Sequence, residues 1–261
     1  MTVSDSTTES TDRGGWFTTT HWSVVLSAGG GNSPDAQRAL EQLCKTYWYP
    51  VYAYIRRNWN KPPEDAKDLT QEFFAGLLAK GSLKFADPGR GRFRSFLLAS
   101  VKNMLCNLSD RTMTIKRGSG QNPISFEAMT AEQRYGNEPA ELVAENLYDR
   151  AWAAMIKERA LARLRQEYAA QNTDIARLFP KFEPHLMDSD APKLYPLWAA
   201  ELNIKLGSIP VCVLRIRKRL REVLRDEVAQ TLSNPTEAEL VEELRGLKAA
   251  WFNCDDSSRP V

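Results

Sequence analysis

The sequence predicts an all-α protein with two helical domains joined by a flexible linker, the second domain containing a helix-turn-helix. Apolar residues recur at three- and four-residue steps in several long segments, and no segment alternates between apolar and polar residues as a half-buried strand does. A stretch rich in Gly, Asn, Gln and Pro interrupts the helical pattern at residues 116–139. With 261 residues, 43% of them hydrophobic, the chain has the length and apolar content for one large domain or two small ones.

Composition favours a cytoplasmic protein without a metal centre. The cysteines are scattered and form no CxxC pair, which suits a reducing compartment. With only two histidines beside them, a structural zinc site is not expected. The first fifteen residues are polar and acidic, unlike a signal peptide, and no apolar run approaches the length of a membrane span. We therefore expect no cofactor, no bound metal and no membrane partner.

The first domain is expected at residues 16–115, after a Ser/Thr-rich disordered tail at residues 1–15. Its apolar periodicity predicts helices at about residues 36–59, 64–80 and 93–108. Pro50 should kink the first helix or divide it in two, because proline removes a backbone hydrogen bond from a helix interior. Pro63 suits the first turn of the second helix.

The second domain is expected at residues 140–231, followed at residues 232–261 by a C-terminal helix and a polar tail. The helical patterns after the linker cover about residues 140–170, 195–202, 208–225 and 236–251. The third of these should begin only at Gly207 or Ser208, with Ser208 as its cap, because Pro210 is tolerated only in a first turn. The last helix either packs back on the second domain or serves as a docking site.

Basic residues concentrate in two of these regions, although the net charge is only +2. Residues 90–117 hold seven basic residues against one acid, Asp110, and residues 205–225 hold seven against Glu222 alone. Cations concentrated on a helix neutralise phosphates and release condensed counterions. Most charge runs are solvated surfaces, but two runs, each beside a recognition-like pattern, favour nucleic acid.

The second basic run follows a helix-turn-helix pattern. Trp198 and Leu202 would face inward on the first helix, Asn203 suits a left-handed turn, and Ile209 and Ile216 would pack the second helix. In such a motif the exposed start of the second helix enters the major groove. Simple core packing of two helices is the alternative, because this spacing is common.

The first basic run combines aromatic side chains with arginines. Single-stranded DNA is commonly held by aromatic side chains that stack on bases and by a basic groove that follows the backbone. Phe93 and Phe96 are candidates for such stacking. The alternative is that both are ordinary core residues, as buried aromatics commonly are.

Residues 65–74, DAKDLTQEFF, and residues 91–97, GRFRSFL, resemble sequences of the bacterial RNA polymerase sigma factors of the sigma-70 type. The first motif resembles the family's D-A-x-D-L-x-Q-E-x-F helix. The second, with Lys102 and Asn103 behind it, resembles its G-x-F-R-x-W-L…N segment. The order of motifs, linker and helix-turn-helix is similar to that of the extracytoplasmic-function group. The resemblance covers roughly residues 36–231.

The resemblance implies a non-catalytic factor that directs promoter recognition, DNA opening and transcription initiation. The first motif implies contact with the polymerase β′ clamp helices through Asp65, Asp68, Leu69, Gln71, Glu72 and Phe73. The second implies capture of the −10 promoter element by Arg92, Phe93, Arg94, Phe96, Lys102, Asn103 and Arg111. The helix-turn-helix implies reading of the −35 element by Lys205, Ser208, Val211, Cys212, Arg215, Arg217, Lys218 and Arg219.

The implied partners are promoter DNA and core RNA polymerase, the latter through its β′ clamp helices and β flap. Whether an anti-sigma factor also binds is left open by the resemblance. Phe96 stands where the family usually has Trp, and Lys205 stands where the recognition helix usually has its Ser or Thr cap. Together with Pro210, this second departure predicts a −35 reading that is weak, altered or lost. A degenerate sigma paralogue, or a DNA-binding regulator that does not initiate, is therefore the alternative. An enzyme is not expected, because no Gly-rich phosphate loop, HExxH or GxSxG motif occurs.

Overall fold

The structure is a computed structural model that describes residues 34–79, 92–112, 125–186, 188–232 and 235–252. All regular secondary structure in these ranges is helical, which confirms the all-α prediction. The N-terminal tail, the first part of the linker and the polar C-terminal tail lie outside the described residues. None of the helices within the described ranges has the length and apolar character needed to cross a bilayer.

The helices follow one another along the chain with short connections wherever both ends are described. They are α1 Pro34–Asn58, α2 Pro63–Ala79, α3 Phe93–Thr112, α4 Ser125–Gly136, α5 Ala144–Ala169, α6 Asp174–Phe182, α7 Tyr195–Leu202, α8 Ile209–Ala229 and α9 Glu237–Phe252. Short 3₁₀ turns lie at Glu183–His185, Ala191–Leu194 and Leu206–Ser208. Most predicted helices are confirmed within a few residues. α1 continues through Pro50 as one helix, so the division considered at this proline does not occur.

Two helices lie where none was predicted. α4 falls inside the expected linker, and α6 falls between the helices expected at about residues 140–170 and 195–202. α6 begins at a local signal, because the Ala176 amide donates to Thr173 Oγ1 at 3.3 Å and so satisfies one free donor of the first turn. α4 is supported by tertiary contacts with α1.

Arg57 at the end of α1 fastens the chain that follows α4. Its Nε donates to the Tyr135 hydroxyl at 2.9 Å, and its Nη1 donates to the carbonyls of Pro139, Ala140 and Leu142 at 3.0, 2.8 and 2.6 Å. The planar guanidinium has five N–H donors in a fixed geometry, which suits a cluster of carbonyls. The described part of the predicted linker is therefore ordered against α1.

α5 forms the centre of the fold. It packs against α1 on one side and against α8 and α9 on others. Its side chains Leu147, Trp152 and Ile156 are at most 1% exposed. Buried residues from α1 to α9 form one connected core, so the two predicted domains share a core in this arrangement. Their division at the linker stays a prediction.

α7 and α8 are joined by a tight turn. Asn203 ends α7 in the left-handed region, with φ 53° and ψ 47°, as its side chain type suggested. α8 begins at Ile209, directly after the 3₁₀ turn, with Pro210 in its first turn. The late start is confirmed, but the Ser208 side chain makes no capping hydrogen bond, so its predicted capping role is wrong. The 3₁₀ turn that leads into α8 puts Ser208 in helical backbone, with φ −82° and ψ −24°, whereas a capping side chain normally requires extended backbone.

The start of α9 carries a reciprocal cap. The Glu239 amide donates to Thr236 Oγ1 at 3.3 Å, while the Thr236 amide donates to the Glu239 carboxylate at 2.8 Å. This pattern satisfies two free donors at once and fixes where the helix begins. It thereby also fixes the face on which Glu243, one turn later, is presented.

Candidate nucleic-acid and protein interfaces

α2 presents an acidic face to solvent. Asp65, Asp68 and Glu72 are exposed, and Leu69 and Gln71 beside them are half-buried. The three acids lie three and four residues apart and therefore share one side of the helix. The side chains predicted to touch polymerase are thus accessible, with the exception described next.

The opposite side of α2 is buried. Phe73, one of the predicted polymerase contacts, is only 5% exposed, and its ring packs edge-on against Phe74 at a centroid distance of 5.2 Å. Thr70 is also buried, and its hydroxyl donates to the Ala66 carbonyl at 2.7 Å. Phe73 therefore belongs to the core and holds the acidic face in place.

Arg94, predicted to bind the −10 element, is built into the protein interior. Its Nε and Nη2 donate to the two carboxylate oxygens of Glu243 at 2.8 and 3.2 Å. Its Nη1 also donates to Asp149 of α5, and its guanidinium lies 4.5 Å from the centre of the Trp152 ring. Burial acts to lower the pKa of Arg94, but the hydrogen bonds to Glu243 and the charge of Asp149 outweigh it, so the pKa is raised.

Glu243 is the centre of this cluster. It is 0% exposed and also pairs with Arg92, whose Nη1 lies 2.8 Å from its Oε2. One buried carboxylate is thus shared by two arginines, and the two arginines reach it from the start of α3. We call Arg92, Arg94, Asp149 and Glu243 the Glu243 charge cluster, in which only Glu243 is fully buried. The buried Glu243 carboxylate is paired with arginines, as a buried charge requires. Because the members of the cluster come from α5, α9 and the start of α3, these pairs join the three helices.

The two aromatic residues predicted to stack on bases differ from each other in exposure. Phe93 is 0% exposed and contacts the Tyr47 ring edge-on at 5.2 Å. Phe96 is half-buried, 6.0 Å from Phe93. The core interpretation therefore holds for Phe93, whereas Phe96 keeps part of its surface accessible.

The later residues of the predicted −10 set lie nearer the surface. Lys102 pairs with Glu145 of α5 at 2.9 Å, and this hydrogen bond raises the pKa of Lys102 and lowers that of Glu145. Asn103 is exposed. Arg111 lies within α3, but its side chain is outside the described part of the structure.

α8 presents a basic face together with apolar residues. Lys205 in the preceding turn, Arg215 and Lys218 are exposed, and Ser208 is half-buried. Val211 is 48% exposed. Cys212, also in the predicted −35 set, is buried and faces the core. Arg217 is exposed as well, so six of the eight predicted residues are accessible in this region when half-buried Ser208 is counted.

Two further arginines of the predicted −35 set have partners within the protein. Arg219 donates from Nε and Nη2 to Glu167 of α5 at 2.9 and 2.8 Å and from Nη1 to Glu222 at 3.0 Å. The Arg217 guanidinium lies 5.3 Å from the centre of the Phe182 ring. Arg219 thus fastens α8 to α5, which orients the exposed face.

The pairing of Glu167 with Arg219 predicts a pH dependence. Hydrogen bonds from Arg219 lower the pKa of Glu167 in the folded protein below its ordinary value of about 4.3. A depressed carboxyl pKa stabilises the fold above the unfolded pKa, and this contribution is lost as pH falls through the folded pKa. Glu167→Gln should therefore be less stable than the wild type at pH 7, and the difference should shrink below about pH 4.

Urea unfolding between pH 7 and 3 measures this difference. Glu141→Gln, at an exposed position in a turn, is the matched control and should follow the wild-type profile. A constant gap between Glu167→Gln and the wild type across this pH range would contradict the pairing.

The sequence did not reveal which residues contact the arginines at the start of α3. Glu243, Asp149 and Trp152 were assigned no role, although one signal was present. Glu243 lies between Leu240 and Leu247 on the apolar side of α9, where an acid requires a buried partner. Within the described ranges, no group of three or more His, Cys, Asp or Glu side chains converges in a way that would hold a metal ion.

Comparison with family models, with curated proteins and with solved structures gives no significant match. The resemblance to sigma factors therefore depends on the motifs in α2 and α3 and on the order of the elements.

Proposed function

We propose that this protein is a sigma-type transcription initiation factor that binds core RNA polymerase and directs promoter recognition and DNA opening. The observation that carries the proposal is the acidic face of α2. The residues of its motif divide as a docking helix requires, with Asp65, Asp68 and Glu72 outward and Phe73 inward.

The chemistry of this face supports a protein partner. Charges on a docking surface set the register and the association rate, and adjoining apolar groups add affinity. Leu69 supplies such an apolar group beside the acids, and Gln71 adds a hydrogen-bonding amide. Acids also favour a helix start through the helix dipole, but the dipole does not account for Glu72, which lies in the third turn.

α8 supports the DNA-binding part of the proposal. Lys205, Arg215 and Lys218 lie on the accessible side of the α7–α8 pair, next to a turn that brings α8 in at a fixed angle. Cations in this position hold phosphates while the start of the helix approaches base edges.

A charge-removing triple variant of α2 tests the polymerase contact. Asp65→Asn, Asp68→Asn and Glu72→Gln together should weaken binding to purified core RNA polymerase roughly tenfold, because each exposed ion pair contributes about 0.5 kcal/mol. All three positions are exposed, so the fold should be retained. Fluorescence anisotropy with labelled protein measures the affinity.

The matched control removes three exposed acids elsewhere: Glu141→Gln, Asp190→Asn and Glu242→Gln. It should bind core polymerase as the wild type does. Equal weakening by both triple variants would show a general charge effect and would remove the support that α2 gives to the proposal.

One observation favours a second candidate, a DNA-binding regulator or degenerate sigma paralogue that does not initiate. Arg92 and Arg94 are held by Glu243, so capture of melted DNA by these arginines requires α9 to move away, and Phe93 between them is buried against Tyr47 of α1. Transcription from promoter libraries with purified core enzyme separates the two candidates. Transcripts with defined 5′ ends support initiation, whereas binding to polymerase or DNA without transcripts supports the regulator.

A further inference from the structure

Two large apolar side chains are exposed on the first turns of α8. Val211 is 48% exposed and Leu214 is 62% exposed. Both share a face with the exposed Arg215 and Lys218, since residues three, four and seven apart lie on one side of a helix. The same face is therefore apolar near the helix start and cationic one to two turns later.

This stretch of α8 lacks the side chains that read adenine or cytosine. Residues 209–220, IPVCVLRIRKRL, contain no Asn, Gln, Ser, Thr, Asp or Glu. In the major groove, Asn and Gln recognise adenine and acidic side chains accept from cytosine, whereas Arg and Lys recognise guanine and apolar groups contact the thymine methyl. The exposed side chains of this stretch can therefore recognise only guanine and the methyl group of thymine.

The order of residues along α8 places the apolar pair nearest the bases. In a helix-turn-helix, the start of the second helix is the part that reaches base edges. Val211 and Leu214 precede Arg215 and Lys218, so the cations lie farther along, where phosphates border the groove. Arg219, by contrast, is fixed on Glu167 and holds the helix from behind.

We infer that α8 recognises duplex DNA through thymine C5-methyl groups in the major groove, which Val211 and Leu214 cover. This inference depends on the proposed function, because it specifies how the predicted −35 contact is made. In this arrangement selectivity comes from the apolar contacts of Val211 and Leu214, and phosphate contacts come from Arg215 and Lys218, so neither depends on a Ser or Thr cap.

Replacing thymine by uracil tests the inference, because uracil lacks only the C5-methyl group. Full-length protein is first used to enrich duplexes from a random-sequence library, and the enriched pool is then resynthesised with deoxyuridine in place of thymidine. Burial of one methyl group corresponds to about a fourfold change in affinity, so two methyl groups should give roughly a tenfold loss or more. Anisotropy titrations of both pools at one fixed salt concentration measure it.

Alanine variants assign the effect to α8. The double variant Val211→Ala/Leu214→Ala should bind the thymine and uracil pools equally. Val143→Ala is the matched control, since Val143 is 58% exposed outside α8, and it should keep the wild-type preference. Thermal unfolding of both variants is expected to match that of the wild type, because the replaced side chains are exposed.

Each outcome decides the inference. Equal wild-type affinity for both pools overturns it and leaves DNA binding and the proposed function standing. No duplex binding overturns it together with the −35 part of the proposed function. Loss of polymerase binding in the double variant, with DNA binding unchanged, overturns it and identifies the apolar pair as a protein contact. A thymine preference without promoter-directed transcripts supports the inference while the initiation function fails.

Discussion

Replacing Glu243 with glutamine is expected to lower the free energy of unfolding by about 3 kcal/mol, the lower end of the range for breaking a buried ion pair, because Arg92 is partly exposed and Arg94 keeps Asp149. Glu243 is 0% exposed and is shared by Arg92 and Arg94. Asp149 remains as a partner for Arg94, but it is on the other side of the guanidinium and contacts a different nitrogen. The amide of glutamine cannot replace the charge, and its NH₂ group would face guanidinium donors.

Chemical denaturation at pH 7 measures this loss, and a neighbouring residue supplies the control. Glu242 is exposed and pairs with Arg245 at the surface, so Glu242→Gln should cost about 1 kcal/mol or less. If both variants lost stability equally, Glu243 would not be the buried centre of the cluster. Hydrogen exchange should locate the effect in α9 and the start of α3.

Phe93→Ala is expected to destabilise the fold by about 3 to 5 kcal/mol, as removal of a fully buried phenylalanine side chain normally does. The resemblance to sigma factors had assigned Phe93 to DNA, yet its ring is 0% exposed and contacts Tyr47. The variant should therefore lose function by unfolding and not by loss of a base contact. Urea unfolding measures the first effect, and binding to a single-stranded oligonucleotide measures the second.

Two other variants make the result specific. Phe93→Leu keeps most of the buried volume and should cost less than about 1.5 kcal/mol, with unchanged DNA binding. Phe96→Ala removes a half-buried ring and should cost less stability than Phe93→Ala. A Phe93→Ala protein with wild-type stability but no affinity for single-stranded DNA would show that Phe93 contacts the nucleic acid directly.

Both predictions concern the same region, the start of α3. Phe93 faces the core while Arg92 and Arg94 on either side of it reach Glu243. A segment that resembles the −10 binding motif thus also holds α9 in this arrangement. DNA and α9 compete for the same arginines if the proposed function is correct.

Local signals in the sequence were sufficient for most of the helices. Periodic apolar residues predicted α1, α2, α3 and α5, and Asn203 marked the end of α7 because few residues tolerate a left-handed backbone. These signals act over a few residues and need no knowledge of the rest of the chain. The acidic face of α2 was predictable for the same reason, since spacing alone places its acids together.

Partners distant in sequence were not predictable in this way. α4 was interpreted as linker because its flanks are rich in Gly and Pro, but contacts with α1 hold it. Whether an arginine is exposed or paired depends on which acid lies near it in the folded chain. Arg94 pairs with Glu243, 149 positions away, and Arg219 pairs with Glu167, 52 positions away. Arg215 remains exposed.

The sequence by itself determined that this protein is helical, where most of its helices begin and end, and which helices carry excess charge. Only the tertiary structure decided which of those charges face solvent. Helix formation is governed by neighbours within one or two turns, whereas the desolvation and pairing of an arginine are governed by whichever helix packs over it. Arg92 and Arg94 at the start of α3 are held by acids of α5 and α9, whereas Arg215 and Lys218 of α8 remain exposed.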